Sequence, residues 1–420
     1  GDTGPPCGQS GGMTPRRVTR LSVLGIVVAL AAVTPGAAAI AQPAPTRTLP
    51  VSSSDRADVP PVSPAVGAQT SGRAVVVIEG GGSPHAYTTP WAACDGGRPA
   101  YVQAMLDAGL PVFTAPGFGN TYTSTAGESG CPPQPPTELQ WNTSGYPTQA
   151  GQAVLGLLGW LNETYGYTTF DLVGYSYGGL VARATVAALK APPQPGSMAQ
   201  AHSYAQSAID AGVTIPSMVT LNSPHLGGPA YDIAADPARY LRPVAIAWGR
   251  EFAEASKSLI AFQQTEGAGS IHVLVTSAHA KRNPRSWDAQ QVGVLDGVAL
   301  TLIAGDYCGR TCGDERSPRK GSAAAIPRTD GTVPVYSQLM QPCPKTCPTP
   351  PGSVYIPPGM VPSTVVRRTF PTVHSTFVTK GLGLPQSLSV SRNPAAIAFL
   401  VRTVVETWRS AGAQLMVQQP

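Results

Sequence analysis

The chain has 420 residues, 42% of them hydrophobic and only 12% charged, with a formal net charge of +5. The 46 glycines and 44 prolines stop short of the roughly 25–30% Pro and Gly of a wholly disordered chain. Basic residues occur as short pairs such as Arg367-Arg368 and not as the clusters or stripes of a nucleic-acid binder, so no nucleic-acid partner is expected.

Residues 1–12 read as an upstream extension, with Met13 as the start. Residues 13–41 read as a signal peptide. Arg16, Arg17 and Arg20 form its basic end, Leu21 to Val33 its apolar run, and Ala39-Ile40-Ala41 its small-residue cleavage site. The run is too short for a spanning helix, which needs about 20 apolar residues. Residues 42–72, rich in Pro, Ser and Ala, read as a flexible leader. Export agrees with the cysteines. Without Cys7 an even set remains: Cys94, Cys131, Cys308, Cys312, Cys343 and Cys347. Such a set in an exported chain suggests disulfides, and local pairs 94–131, 308–312 and 343–347 are the expectation. A four-thiolate zinc site is the alternative, disfavoured by the wide C-x₃-C spacing.

From residue 73 apolar β-rich runs alternate with Ala/Leu-rich stretches, which predicts an α/β domain with a mostly parallel sheet over 73–420. Strands are predicted at 73–79, 110–115, 168–173, 215–221, 271–276, 298–304 and 365–370. Helices are predicted at 99–108, 148–165, 180–190, across most of 230–266, and at 393–410, where an amphipathic helix closes the chain. Residues 116–147 and 191–212 read as insertions, and 306–362 as a long Cys/Pro-rich one.

The element that carries chemistry is Gly174-Tyr175-Ser176-Tyr177-Gly178-Gly179, between a predicted strand and a predicted helix. A sharp strand-to-helix turn lifts a serine hydroxyl above the sheet and needs small neighbours, which Gly174 and Gly178 supply. It also sets the helix N-terminus beside a developing oxyanion. A serine needs a base at neutral pH. His374, four residues past the last predicted strand, is the candidate. His279 is a weak reserve, His225 a structural or rim residue, His272 a core residue, and His85 and His202 loop residues. For the acid that orients the base, Asp330 in a tight Asp-Gly turn is favoured, with Asp306 as rival. The backbone N–H groups of Gly81 and Tyr177 are the candidate oxyanion donors.

Together these residues resemble the α/β-hydrolase family, and within it the secreted bacterial lipases and esterases. The resemblance spans roughly residues 73–410. It rests on the elbow GYSYGG, on VTLNSPHLGG, on the acid turn TDGTVP and on the placement of His374. It implies a mostly parallel sheet flanked by helices. Three features depart from the family. Glu79-Gly80 stands where His-Gly is common, Tyr175 stands where His is common, and residues 341–362 widen the gap between Asp330 and His374.

The expectation is an exported serine ester hydrolase without a cofactor or metal, read first as a lipase on acylglycerol esters. The alternatives are a short-chain esterase, a polyester or cutin hydrolase, a cell-wall acyltransferase, and a non-catalytic binding protein on the same fold. A monomer is expected, with an ester or lipid substrate and transient contact with a lipid interface. Residues 230–266 are the candidate lid or acyl groove.

Overall fold

A computed structural model describes residues 72–81, 87–90, 98–117, 134–143, 145–191, 199–236, 238–242, 271–275, 286–307, 328–342, 354–381 and 383–417. In chain order the elements begin with β1 (Arg73–Ile78), α1 (Ala100–Asp107), β2 (Val112–Thr114), α2 (Pro147–Tyr165), β3 (Thr169–Tyr175) and α3 (Gly178–Lys190). Then come α4 (Ala199–Asp210), β4 (Thr214–Leu221), α5 (Pro229–Ala235), α6 (Ile271–Leu274) and α7 (Trp287–Gln290). The last are β5 (Ala299–Gly305), α8 (Val335–Gln338), β6 (Val366–Phe370), α9 (Thr376–Gly381) and α10 (Pro394–Val417). The sheet has six strands in the order β2-β1-β3-β4-β5-β6, and every pairing is parallel.

A parallel sheet must be covered on both faces, so its strands read as continuous apolar runs. The run RAVVVI of β1 is buried along its whole length. Its alternate residues part to opposite faces. Ala74, Val76 and Ile78 join the core with α2, α3 and α4, while Val75 and Val77 join the core with α1 and α10. Burying each such valine or isoleucine contributes about 1.5–3 kcal/mol. A buried ion pair sits against the sheet. Asp171 of β3 accepts two hydrogen bonds from Arg73 at 2.8 and 2.9 Å, and others from Ser217 and the Trp408 indole. This single carboxylate thus ties β1, β3, β4 and α10 together.

Two elements differ from the sequence expectation. Residues 271–274 form a helical turn and not a strand. The sheet has no slot for them, because Ser217–Leu221 of β4 pairs directly with Ala299–Ile303 of β5. The segment instead meets the start of α5, where the Gly228 N–H donates to the Leu274 carbonyl at 3.0 Å. Within 191–212, read as an insertion, lies the helix α4, whose Ala201, Ala205 and Ala208 are buried in the core with α2. The helix predicted across 230–266 starts as α5, and residues 243–266 lie outside the described residues. So do residues 1–71 and all seven cysteines, and with them the expected signal peptide, leader, disulfides and zinc alternative.

Candidate active site

The carboxyl ends of the parallel strands share one edge of the sheet, where ligands bind in open α/β folds. β3 ends there in the elbow. Ser176 adopts φ +51°, in the left-handed region that an L-residue enters only under strain. Its N–H donates to the Leu221 carbonyl at 2.8 Å, pinning the turn to the end of β4. α3 starts at once, with Tyr177 as its N-cap. The turn requires glycine at 178, because a Cβ there would lie 2.0 Å from the Ile78 carbonyl oxygen.

Two loops bring partners to this serine. After β6, Val373 exchanges N–H···O bonds with Leu388 and Val390, and His374 follows. After β5 comes the turn of Thr329, Asp330 and Gly331, with Gly331 at φ +91°. His374 Nε2 lies 2.8 Å from Ser176 Oγ, and His374 Nδ1 lies 2.7 Å from Asp330 Oδ2. The other Asp330 oxygen accepts the N–H groups of Thr332 and Val333 at 2.9 and 2.7 Å. The carboxylate is fully buried, whereas Ser176 and His374 keep 9% and 7% exposure, enough to meet a substrate from one side. A carboxylate at Nδ1 holds the proton on that nitrogen and turns the Nε2 lone pair toward the serine hydroxyl.

Asp306, the rival acid, is committed elsewhere. Arg328 Nε donates to its Oδ2 at 2.6 Å, and Nη2 donates to the same oxygen. Its backbone N–H is bonded to the Phe370 carbonyl, so it fastens β5 to β6. Gly81 and Tyr177 are neighbours. A Cβ on Gly81 would meet Tyr177 Cβ at 3.3 Å, and one on Gly80 would meet Ser176 Cβ at 3.0 Å. The end of β1 therefore runs alongside the elbow, with room for backbone only.

His225 is buried, with Nε2 3.0 Å from Thr220 Oγ1 and no partner at Nδ1. Burial, and then the Arg183 cation, push its pKa well below the ordinary value. Arg183 is itself fully buried over the Trp287 ring. His202 lies on α4 and His272 on α6, while His85 and His279 fall outside the described residues. Among the described residues no three His, Cys, Asp or Glu side chains are grouped to hold a metal ion.

Sequence reasoning missed the aromatic side of the site. Tyr175 stacks on the His374 imidazole, with ring centroids 5.9 Å apart and planes at 30°. Its hydroxyl donates to the His374 carbonyl at 2.6 Å. Behind it, the Tyr101 hydroxyl donates to buried Glu79 at 2.5 Å. Burial and then the Glu79 charge raise the phenol pKa values of both Tyr101 and Tyr175 well above their ordinary value. The unusual residues at 79 and 175 were the one available signal, and nothing in it pointed to Tyr101.

Residues 148–284 match a family described as "Putative serine esterase (DUF676)", a stretch that includes Ser176 but ends before Asp330 and His374. No curated protein matches the chain. Similar solved structures include a Bacillus licheniformis lipase, BlEst2 in its mature form, at 13% identity over 75% of this chain and 93% of that one, with a TM-score of 0.33. Lipase 1 from Pelosinus fermentans is 11% identical over 80% and 99% of the two chains, with a TM-score of 0.37. Brefeldin A esterase, a bacterial homologue of human hormone sensitive lipase, is 13% identical over 83% and 72%, with a TM-score of 0.39. Likenesses this distant add no chemistry to what the chain's own geometry provides. A strand, a strained serine and a helix at the carboxyl edge of this parallel sheet give the chain an α/β-hydrolase fold, with residues 148–284 matching the family named above.

Proposed function

We propose that the chain is a serine carboxylic-ester hydrolase working through an acyl-enzyme on Ser176. The observation that carries this reading is the unbroken path Ser176 Oγ, His374 Nε2, His374 Nδ1, Asp330 Oδ2, with steps of 2.8 and 2.7 Å across the two hydrogen bonds. Ser176 Oγ attacks the ester carbonyl carbon while His374 Nε2 takes its proton. The tetrahedral oxyanion is met by the N–H groups of Tyr177 and Gly81. His374 then gives the proton to the leaving alcohol, and Asp330 stabilises the imidazolium between the two transfers. Water, deprotonated by the same imidazole, releases the acid. Each oxyanion donor contributes about 10²–10³-fold.

The first substrate class is a lipid ester, so the enzyme is read as a lipase. The elbow and VTLNSPHLGG segments that resemble secreted lipases support this, as does the aromatic surround of Tyr175, Tyr177 and Trp141. Export follows from the basic, apolar and Ala-x-Ala pattern of residues 13–41. A monomer in transient contact with a lipid interface completes the reading.

The test is hydrolysis of p-nitrophenyl esters from acetate to palmitate by the protein lacking residues 1–41, with a serine-reactive phosphonate as control. Long-chain cleavage, lost with one label on Ser176, is the expected result. Cleavage of short chains alone moves the enzyme to the esterases. No cleavage and no label overturn the hydrolase reading in favour of a binding role.

A further inference from the structure

Three handles of His374 are already occupied around Ser176. Its N–H donates to the Asp330 carbonyl at 2.9 Å, its Nδ1 faces the Asp330 carboxylate, and its Nε2 faces Ser176. Two remain, the carbonyl and the face of the ring, and Tyr175 takes both. We infer that Tyr175 is a positioning residue for the base, a clamp that holds the His374 ring against Ser176 through a stacked face and a hydroxyl tether. The inference rests on the esterase reading above.

The clamp has a geometric logic. Tyr175 is the residue before Ser176, so the segment that aims the nucleophile also holds the base, which is 198 residues away in sequence. The Asp330 hydrogen bond orients the imidazole through its edge at Nδ1, and the stacked Tyr175 ring adds a wall against its face that limits rocking about that bond when a substrate displaces the Ser176 hydrogen bond. The stack has a second effect when His374 takes the serine proton. Positive charge then develops 5.9 Å from the centroid of an aromatic ring, whose face attracts a cation. Burial, and then nearby Glu79, hold the Tyr175 phenol neutral, so the stacked ring keeps an uncharged face toward His374. Tyr101 packs on Tyr175 with ring centroids 6.3 Å apart, and its hydroxyl donates to Glu79.

Tyr175→Phe and Tyr175→Met separate the two parts. Phe keeps the face and removes the tether, while Met fills the space with a flexible chain and removes both. Two readouts are taken. One is kcat and KM on the best p-nitrophenyl ester. The other is the low-field proton resonance of His374 Nδ1–H in the resting enzyme, which needs no turnover and reports whether the ring stays against Asp330. Tyr175→Phe should lose about 5-fold in kcat, the equivalent of one hydrogen bond, and keep the resonance. Tyr175→Met should lose about 10²-fold in kcat with KM within about 2-fold, and its resonance should broaden or vanish. A sharp resonance and unchanged kcat in Tyr175→Met overturn the clamp. An equal loss in both variants overturns the role of the stacked face. If Tyr175→Met fails to fold, as judged by near-UV circular dichroism, Tyr175→Phe decides through kcat, and an unchanged value overturns the tether. Should wild-type protein cleave no ester and take no phosphonate, the esterase reading fails, and the resonance still decides the clamp.

Discussion

Among the described residues, a histidine faces a hydroxyl at His374 and again at His225. His374 Nε2 meets Ser176 Oγ at 2.8 Å, and His225 Nε2 meets Thr220 Oγ1 at 3.0 Å. Both lie just beyond the carboxyl end of a strand. The difference is what stands on the far side of the ring. His374 has a buried carboxylate at Nδ1, so a proton arriving at Nε2 creates a charge that is already answered. His225 has no partner at Nδ1 and a buried cation, Arg183, close by. Burial and that cation both disfavour its charged form, so the ring stays neutral and packs like an amide. The hydroxyl–imidazole pair is therefore not what makes a base. The third group and its sign decide.

The comparison can be broken at the serine first. Ser176→Ala should lower kcat by roughly 10⁶-fold in the p-nitrophenyl assay and abolish phosphonate labelling. A retained rate would mean that the first pair is as inert as the second. Removing the charge at the far side comes next. Asp330→Asn should cost about 10⁴-fold in kcat through the wrong tautomer, with the fold intact by circular dichroism. The second pair should show itself in stability and not in rate. Above pH about 6.5 His225 is neutral in both folded and unfolded chains and contributes no pH dependence. Below that, the unfolded chain takes up a proton that the native ring refuses. Stability should then fall as pH falls, by up to about 1.4 kcal/mol per pH unit. Urea unfolding of wild type and His225→Gln at stepped pH values measures it, and an equal slope in both would assign the effect to other groups. The smallest effect is at the rival acid. Asp306→Asn should change kcat/KM by less than about 3-fold, because its carboxylate serves Arg328 and not the base. A loss as large as that of Asp330→Asn would reverse the assignment.

Much of this arrangement was readable from residue order. The strand at 73–79 holds the apolar run AVVVI, those at 168–173 and 215–221 are rich in apolar residues, and the small residues of the elbow mark the sharp turn between strand and helix. What failed to read is equally specific. Residues 271–276 (IHVLVT) look like a strand because a short apolar run has no period long enough to separate strand from helix. Only the closed pairing of β4 with β5 denies it a place. The helix α4 hid because its buried stripe consists of alanines, which carry little hydrophobic contrast. Tyr175 stood out as unusual in the elbow, but its stack on His374 was not legible, since residues 175 and 374 meet only once β3 and β6 stand in one sheet.

That separation has a consequence for the time before the sheet is complete. Ser176 lies in the first half of the chain, and its proposed base follows 198 residues later, beyond the last strand of the sheet. On the proposed mechanism, a growing chain carries its serine before the histidine that would activate it. The hydroxyl would then behave as an ordinary alcohol during synthesis, and an acylating probe added to growing chains should mark only those in which β6 has docked.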